Sequence, residues 1–414
     1  MGYGHQRTAF PLKGFANQKR TVNVNDYEGI PKKDRSFWEG SRRFYEFVSK
    51  FKRVPLLGKA AFSLFDKFQK IMEFYPRRDL SRPSFTLKRM YHLFKKGWGE
   101  DFVEKLQKEP LPMVNTFFTS AFMAEFFNYP GEIFCTVCDA DIARSWAPLN
   151  PQKSRIKYFA PNSWTVDRLK MYGVKKENIY LTGYPLPLEN IGTEKMEILK
   201  EDFKERLSNI DPEGEYYRVY GPLIDKYVGK PLQKKKRNLS IAFAIGGAGA
   251  QTDIALKMIK SFSSDIRSEK VNIILMAGVK KTVRDFFIKE LKNLRLASSE
   301  NIKIVYSNEI EEYFRKFNKE LRKTDILWTK PSELSFYSGL GLPIIIAPPI
   351  GSQEDFNKKW LLRVGSGIEQ EDPLHAKEWI FDLLKNGRLA EAAMKGFMSV
   401  EKLGVYNIEK ICLG

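Results

Sequence analysis

The chain has 414 residues, of which 43% are hydrophobic, and a formal net charge of +19 at pH 7. This length is large for one hydrophobic core and suits two domains. The positive charge favours anionic partners, namely nucleic acids, acidic lipid surfaces or phosphorylated small molecules. The sequence shows no secretory signal, no apolar run long enough to cross a membrane and only three cysteines. These features exclude a disulfide framework and predict a cytoplasmic protein.

The first candidate site is the N-terminal segment Gly2-Tyr3-Gly4-His5-Gln6-Arg7. Glycines allow backbone amides to approach a phosphate or a sugar, and a helix beginning near Gln6 would add its positive end. His5 would then face a binding crevice, where an imidazole can act as a base; the alternative is an ordinary surface histidine. Such a loop ordinarily follows a strand, yet only Met1 precedes it. Either the first strand is absent or the segment is not a loop of this kind. We expect the former, that is, an N-terminal sheet that lacks its first, central strand.

Residues 36–98 form a basic and aromatic segment, with fifteen Lys or Arg, five Asp or Glu and fifteen aromatic residues. Basic amphipathic helices rich in aromatic residues are typical of segments that lie on anionic membranes. The alternative is that the apolar stripes face the protein core and the Lys and Arg side chains form a solvated rim. Two helical faces carry the stripes: Ala61, Leu64, Phe65, Phe68, Ile71, Met72 and Tyr75 on one, and Leu87, Met90, Tyr91 and Phe94 on the other.

The next part of the chain alternates between apolar strands and helical stretches such as Trp164 to Tyr172. The predicted strands are Met113 to Phe118, Glu132 to Cys138, Ile156 to Phe159 and Ile179 to Leu181. This rhythm predicts a parallel sheet in an N-terminal domain over residues 1–220.

Two cysteines and two aspartates follow one another at the end of the second of these strands. Cys135 and Cys138 have C-x-x-C spacing, but no further zinc ligands lie at suitable spacing, so we predict two buried core cysteines and no metal site. Asp139 is a candidate general base for an acceptor hydroxyl, because it would lie at the carboxyl end of a strand. For Asp141 the competing interpretation is helix capping.

The segment 216–237, with Pro222, Gly229 and a Lys-Lys-Lys-Arg run, is predicted to link the two domains. The alternation beyond it is regular, which predicts a doubly wound domain over 238–390; the last helix, over 391–414, would pack back towards the N-terminal domain. The predicted strands of this half are Leu239 to Ile245, Val271 to Ala277, Ile302 to Tyr306, Asp325 to Thr329 and Pro343 to Ala347.

A glycine loop follows the first of these strands and suits a diphosphate at a helix N-terminus; its candidate ligands are Gly246, Gly247 and Gly249. Further along the chain, Lys and Ser side chains could contact phosphate, carboxylates could bind ribose hydroxyls, and amides could bind base or sugar. The competing interpretations are tight packing for the glycine loop, an ordinary turn for Lys330-Pro331, and helix capping with solvent exposure for Glu354 and Asn357. These downstream candidates are Lys330, Ser332, Glu333, Gln353, Glu354 and Asn357.

Together these motifs resemble those of family 28 glycosyltransferases, such as the lipid II N-acetylglucosaminyltransferase and the glycosyl-diacylglycerol synthases. The resemblance covers Gly2 to His5, the strand-end motif Thr182-Gly183-Tyr184-Pro185, the glycine loop, Thr329-Lys330-Pro331, Gly341-Leu342-Pro343, Gln353-Glu354-x-x-Asn357, and Asp139 with Trp146. It implies an α/β fold with two Rossmann-like domains facing a cleft, the B-type glycosyltransferase fold. It also implies no metal requirement and an inverting displacement with a nucleotide sugar, of which a UDP-sugar is the expected donor.

One motif differs from the family pattern. In the family, the glutamate that holds ribose lies about five residues before Gly-Leu-Pro. This chain has Phe336 at that position, and its Glu333 lies three residues before Phe336. The predicted function is transfer of a sugar to a lipid or membrane-bound acceptor at the cytoplasmic face of an anionic membrane, with His5 or Asp139 as base. The alternatives are a sugar-nucleotide epimerase and a non-catalytic relative that binds nucleotide or lipid. Nucleic-acid binding is disfavoured, because the basic residues form no recognisable nucleic-acid module.

Overall fold

The computed structural model describes residues 2–51, 71–230, 237–246 and 249–414. It divides into two compact units. The first unit comprises Leu12–Tyr184 and Asn407–Gly414, and the second comprises Gly2–Pro11 and Pro185–Tyr406. Each unit is built around its own parallel sheet, so the predicted α/β class with two parallel sheets is confirmed.

The first unit has a four-stranded parallel sheet in the order β1-β2-β3-β4. The described residues before β1 contain no strand. The chain forms helices between and before the strands because apolar residues recur at helical spacing there. The strands are β1 Met113–Asn115, β2 Ile133–Thr136, β3 Lys157–Ala160 and β4 Ile179–Leu181, and the helices are Lys32–Phe51, Phe85–Phe94, Glu100–Gln107, Phe118–Phe126 and Ser163–Met171.

The second unit has a six-stranded parallel sheet in the order β10-β9-β8-β5-β6-β7. Its chain order reverses between β5 and β8, so this sheet is doubly wound, as predicted. β5 and β8 are buried along their whole length, as central strands covered on both faces must be. The strands are β5 Leu239–Ala244, β6 Val271–Gly278, β7 Ile302–Tyr306, β8 Ile326–Thr329, β9 Ile344–Ile346 and β10 Gly367–Glu369.

Helices surround this sheet and connect its strands. Those between the strands are Thr252–Ser261, Ser263–Arg267, Lys281–Asn293, Ile310–Leu321 and Ser352–Val364, with a 3-10 helix over Glu333–Leu340. The others in the unit are Tyr3–Ala9, Leu188–Ile191, Glu197–Ile210, Glu215–Tyr227, Ala376–Lys385 and Arg388–Ser399, and Gly404–Leu413 begins in this unit and ends in the first.

The division between the units differs from the one drawn on the sequence. It falls between Tyr184 and Pro185 rather than near residue 220. Most of the predicted linker is the helix Glu215–Tyr227, which tolerates Pro222 in its interior; residues 231–236 lie outside the described residues. The strand β10 was not predicted, because three residues are too short a run to stand out from the surrounding pattern.

The N-terminal segment also differs from its prediction. The helix begins at Tyr3 rather than near Gln6, so His5 lies within a helix and not in a loop. Gly2–Pro11 belongs to the second unit. The segment is therefore not a loop that follows a strand of the N-terminal sheet.

Described parts of the basic aromatic segment 36–98 pack into the first unit. In the helix Phe85–Phe94, Leu87 and Phe94 are buried, and the Phe94 ring lies 5.7 Å from the Phe126 ring. Residues 71–75 do not form a helix, and Phe74 is buried against Trp164, with 3.9 Å between ring centroids. A lipid-facing role is thus wrong for Leu87 and Phe94 of the predicted faces and for Ile71, which is also buried, whereas Met72 and Tyr75 are 42% and 58% exposed. The rest of that predicted face, Ala61 to Phe68, lies outside the described residues.

The amino edge of the second sheet contains a buried charged network. Asp325, just before β8, accepts hydrogen bonds from Arg237 Nη1 at 2.8 Å and Nη2 at 2.7 Å, and from the Ser240 amide at 2.9 Å. Arg206 is also buried and donates to the carbonyl oxygens of Thr324 and Leu340 at 2.7 and 2.6 Å. Burial lowers the pKa of Arg206 to about 10. The guanidinium therefore stays charged at neutral pH and satisfies carbonyls at the ends of two helical segments.

In the described part of the chain, no helix combines the length and the apolar character that crossing a membrane requires.

Candidate functional site

The carboxyl edge of the second sheet gathers most of the candidate binding residues at one point. β5 and β8 are neighbours in the sheet, and their chain connections lead away in opposite directions along it. The segment after β5 carries the glycine loop, and the segment after β8 carries Lys330. Such an order reversal leaves a crevice outside the strand ends, which is where doubly wound sheets bind ligands.

The glycine loop makes a tight turn at this edge. The Gly249 amide donates to the Gly246 carbonyl at 2.7 Å, and Gly249 has a φ of +74°, which favours glycine. A Cβ placed on Gly246 would lie 2.7 Å from Lys330 Cε. The absent side chain at Gly246 thus leaves the space that Lys330 occupies. The third glycine of the predicted set, Gly247, lies outside the described residues.

Lys330 forms an ion pair with Glu354, and both side chains are mostly buried, at 23% and 13% exposure. The other carboxylate oxygen of Glu354 accepts the Ile350 amide at 2.7 Å. Glu354 lies in the first turn of the helix Ser352–Val364, where a carboxylate is also favoured by the helix dipole. Glu354 thus lies at the helix start, but it is not solvent-exposed. The Glu354 carboxylate also holds the Lys330 ammonium group, whose side chain lies next to Gly246.

The segment after Lys330 brings Glu333 to the same edge. Ser332 caps the 3-10 helix Glu333–Leu340 by accepting the Leu334 amide at 3.4 Å, which is a structural role. Glu333 Oε1 accepts a hydrogen bond from Arg7 Nε at 3.2 Å, and Arg7 is only 3% exposed. A Cβ placed on Gly4 would lie 3.0 Å from Glu333 Oε2. Gly4 therefore leaves the space in which this carboxylate lies.

The N-terminal helix Tyr3–Ala9 is held against the second unit by more than this ion pair. The Tyr3 hydroxyl accepts a hydrogen bond at 3.0 Å from the amide of Val279, directly after β6, and burial raises the pKa of Tyr3. The Arg7 guanidinium lies over the Phe317 ring at 4.2 Å, and the Phe10 ring is 5.5 Å from that of Phe314. His5 is therefore carried by a helix fixed at the edge that holds Glu333.

Two further candidates lie on the helix Ser352–Val364. Gln353 is half-buried in its first turn. Asn357 is 1% exposed, one turn further on, so its amide is turned into the protein. Both remain candidate ligands, with Asn357 reachable only by a group that enters the interior.

Asp139, the second candidate base, belongs to the first unit, whereas His5 belongs to the second. It follows β2, and its Oδ2 lies 3.9 Å from Cys138 Sγ. Cys135 and Cys138 are both buried, as predicted. Asp141 does not cap a helix: it binds Arg168 in a buried two-point ion pair, with N–O distances of 2.8 and 2.7 Å.

Sequence reasoning gave no role to two residues that the structure places at this edge. Arg7 and Tyr3 were part of the quoted N-terminal motif, but their partners Glu333 and Val279 are about three hundred residues away in the chain. No periodicity or local spacing connects positions so distant. The only signal was the concentration of chemically distinctive residues in one short segment.

No group of three His, Cys, Asp or Glu side chains suited to a metal ion occurs within the ranges that the structure describes. The charges of the edge are instead arranged as two ion pairs, Lys330 with Glu354 and Arg7 with Glu333.

Residues 230–320 and 292–412 match a family model described as a domain of unknown function, DUF6938. No curated protein sequence matches the chain.

Among solved structures, the chain is similar to S. aureus MnaA solved with UDP, at 13% identity and a TM-score of 0.47 over 86% of this chain and 85% of that one. It is similar to UDP-GlcNAc 2-epimerase from Neisseria meningitidis bound to UDP-GlcNAc, at 11% identity and a TM-score of 0.46 over 76% and 78% of the two chains. It is also similar to a glycosyltransferase from Rickettsia africae ESF-5, at 13% identity and a TM-score of 0.40 over 85% and 88%. Similarities this low assign no activity to the chain.

Proposed function

We propose that the protein is an inverting, metal-independent glycosyltransferase that uses a nucleotide sugar, with a UDP-sugar as donor, as the resemblance to family 28 implies. The observation that carries this proposal is the gathering of the glycine loop, Lys330, Glu354 and Glu333 at the order reversal of the second sheet. Nucleotides bind at such reversals in doubly wound sheets. A loop without side chains next to a cation suits a diphosphate.

Each candidate has a role in this proposal that its position allows. Lys330 and the amides of the glycine loop take the diphosphate. Glu333 and Glu354 take ribose hydroxyls, Gln353 and Asn357 contact base or sugar, and Ser332 contributes mainly by shaping the segment. Binding of a diphosphate would draw Lys330 away from Glu354 in part, which would release that carboxylate to accept a hydroxyl.

The reaction follows from these roles. The acceptor hydroxyl oxygen attacks the anomeric carbon while the bond from that carbon to the diphosphate oxygen breaks, which inverts the configuration. His5 or Asp139 takes the proton of the hydroxyl. The positive charge of Lys330 stabilises the negative charge that develops on the leaving diphosphate. We place the acceptor, a lipid or a membrane-bound molecule, at the cytoplasmic face of a membrane.

Calorimetric titration of the whole chain with UDP, GDP and ADP tests the donor site. We expect one of the three to bind, and Lys330→Met to weaken that binding by roughly tenfold or more, because a charge-assisted contact to phosphate is lost. Lys303→Met is the matched control, since Lys303 also forms an ion pair with a glutamate, Glu320, but lies on β7 away from the glycine loop. Absence of binding by a folded sample, or equal weakening in both variants, would rule out the proposed site.

A second candidate, a non-catalytic relative that binds a nucleotide, is favoured by one observation. Lys330 and Glu333 each already contact an oppositely charged side chain of the protein. Incubation with sugar derivatives of the nucleotide that binds in the titration distinguishes the candidates. A transferase consumes such a nucleotide sugar only with an acceptor, an epimerase converts it without one, and a binding protein leaves it unchanged.

A further inference from the structure

The helix Glu215–Tyr227 presents an apolar stripe to solvent. Val219, Tyr220, Leu223 and Tyr227 are 63%, 47%, 39% and 40% exposed. At 100° per residue these four positions fall within one arc of the helix. The adjoining face of the helix, with Gly221 and Ile224, is buried. A surface helix of a globular protein ordinarily turns its apolar stripe inwards, so this outward stripe indicates a partner.

The charges around the stripe indicate the chemistry of that partner. Lys226 and Lys230 are exposed beside it, and Lys226 Nζ lies 5.1 Å from the centre of the Tyr227 ring. The two acidic residues of the helix are engaged locally: Glu215 forms an ion pair with Arg218, and Asp225 accepts the Tyr217 hydroxyl at 3.0 Å. The sequence then continues with the lysine run 234–236, outside the described residues.

We propose that the helix Glu215–Tyr227 binds an anionic lipid surface, with Val219, Tyr220, Leu223 and Tyr227 at the acyl boundary and Lys226 and Lys230 at the headgroups. Tyrosine suits this position because its ring is apolar and its hydroxyl polar. Lysine stems lie along apolar surface while their charges reach the headgroups. A negatively charged leaflet attracts basic residues that lie near it.

A second copy of the chain is the less suitable occupant. A twofold interface would place this stripe against itself and bring Lys226 and Lys230 close to the same residues of the other copy. Each copy also carries a net charge of +19, so approach of two copies is opposed electrostatically. An anionic membrane instead attracts both the two lysines and the net positive charge of the chain.

Vesicle co-sedimentation of the full chain tests the inference. We expect binding to phosphatidylcholine vesicles that contain phosphatidylglycerol and little binding to phosphatidylcholine alone. Leu223→Ser with Tyr227→Ser should lower the partition coefficient roughly tenfold, since two partly exposed apolar side chains no longer enter the membrane. Lys226→Glu with Lys230→Glu should lower it by a similar or larger factor, and added salt should weaken the wild-type binding.

Matched controls separate this helix from surface chemistry in general. Leu362→Ser removes a leucine that is 41% exposed on another helix, and Lys289→Glu with Lys292→Glu makes the same charge change on the helix Lys281–Asn293. Both control proteins should bind like the wild type.

No binding to anionic vesicles, or equal loss in variants and controls, would overturn the inference. A dimer that dissociates in the Leu223 and Tyr227 variant with unchanged vesicle binding would assign the stripe to a second copy instead. The assay contains no nucleotide, so its outcome is independent of the donor-site test.

Discussion

The two ends of strand β8 carry charged groups of different character. Just before the strand, Asp325 is fully buried and accepts hydrogen bonds from Arg237, Ser240 and Asn209. Just after it, Lys330 is 23% exposed and forms an ion pair with Glu354. The four residues of β8 thus separate the enclosed network around Asp325 from the ion pair of Lys330 and Glu354, which borders the glycine loop.

The second unit derives stability from its amino edge and keeps groups available for a ligand at its carboxyl edge. At the amino edge, several donors converge on Asp325, and Arg206 satisfies carbonyls that would otherwise be buried without a partner. At the carboxyl edge, the charges lie beside glycines whose missing side chains leave space. Parallel sheets bind ligands at the second of these edges, so the first is free to serve stability.

The largest expected effect follows from breaking the amino-edge network. Asp325→Ala should lower the free energy of unfolding by about 3 kcal/mol, because it leaves Arg237 and the Ser240 amide without their buried acceptor. Chemical denaturation measures this change. Nucleotide affinity of the folded fraction should stay as in the wild type.

Glu205→Gln is the matched control for that change. Glu205 binds Nε of the same Arg237, at 3.1 Å, but its side chain is 43% exposed. Its loss should therefore cost less than about 1 kcal/mol. Equal effects of the two substitutions would show that burial does not determine their cost. The amino-edge network would then not be a special source of stability.

Arg7 is an exception to the difference between the two edges, because it lies at the carboxyl edge yet is as buried as the residues at the amino edge. Arg7→Met should lower the free energy of unfolding by about 2 kcal/mol, through loss of the ion pair with Glu333 and of the contact with the Phe317 ring. Glu333→Gln retains an acceptor for Arg7 Nε and should have about half that effect. If Arg7→Met leaves thermal and chemical stability unchanged, the N-terminal helix is not held by this pair.

The sequence was sufficient to predict the second sheet because its strands are continuous apolar runs. Ile302–Tyr306 was located to the residue, and β5 and β6 to within one residue. β5 and β8 are buried along their whole length, so local pattern and tertiary environment agree there. β7 carries an exposed lysine, Lys303, and is only partly buried. The strand β10 was not predicted because it has only three residues, which are partly exposed and show no clear apolar pattern.

The long-range features could not be predicted, since each joins segments with no local relationship. The docking of Tyr3–Ala9 on the second unit depends on Glu333 and Val279, and the division after Tyr184 depends on which sheet each helix packs against. Similarly, the stripe of Phe85–Phe94 has the same spacing whether it faces lipid or Phe126. Amphipathic periodicity identifies a face but not its partner.

Substitution of Gly246 in the glycine loop should change stability least. In Gly246→Ala the new Cβ would lie 2.7 Å from Lys330 Cε, so the lysine side chain must move. Because the far end of a lysine is flexible, the free energy of unfolding should change by less than about 1 kcal/mol. The displaced ammonium no longer reaches the same point, and nucleotide affinity should fall about tenfold.

Gly351→Ala is the control for this change, since a Cβ there meets nothing within 4 Å and the φ of −115° suits any residue. It should alter stability by a few tenths of a kcal/mol at most and leave affinity unchanged. A loss of stability without a loss of affinity in Gly246→Ala would mean that the glycine serves packing rather than a ligand. A loss of affinity in a stable protein would instead show that the space kept open beside Lys330 is part of the binding site, which is what separates this edge from the enclosed network around Asp325.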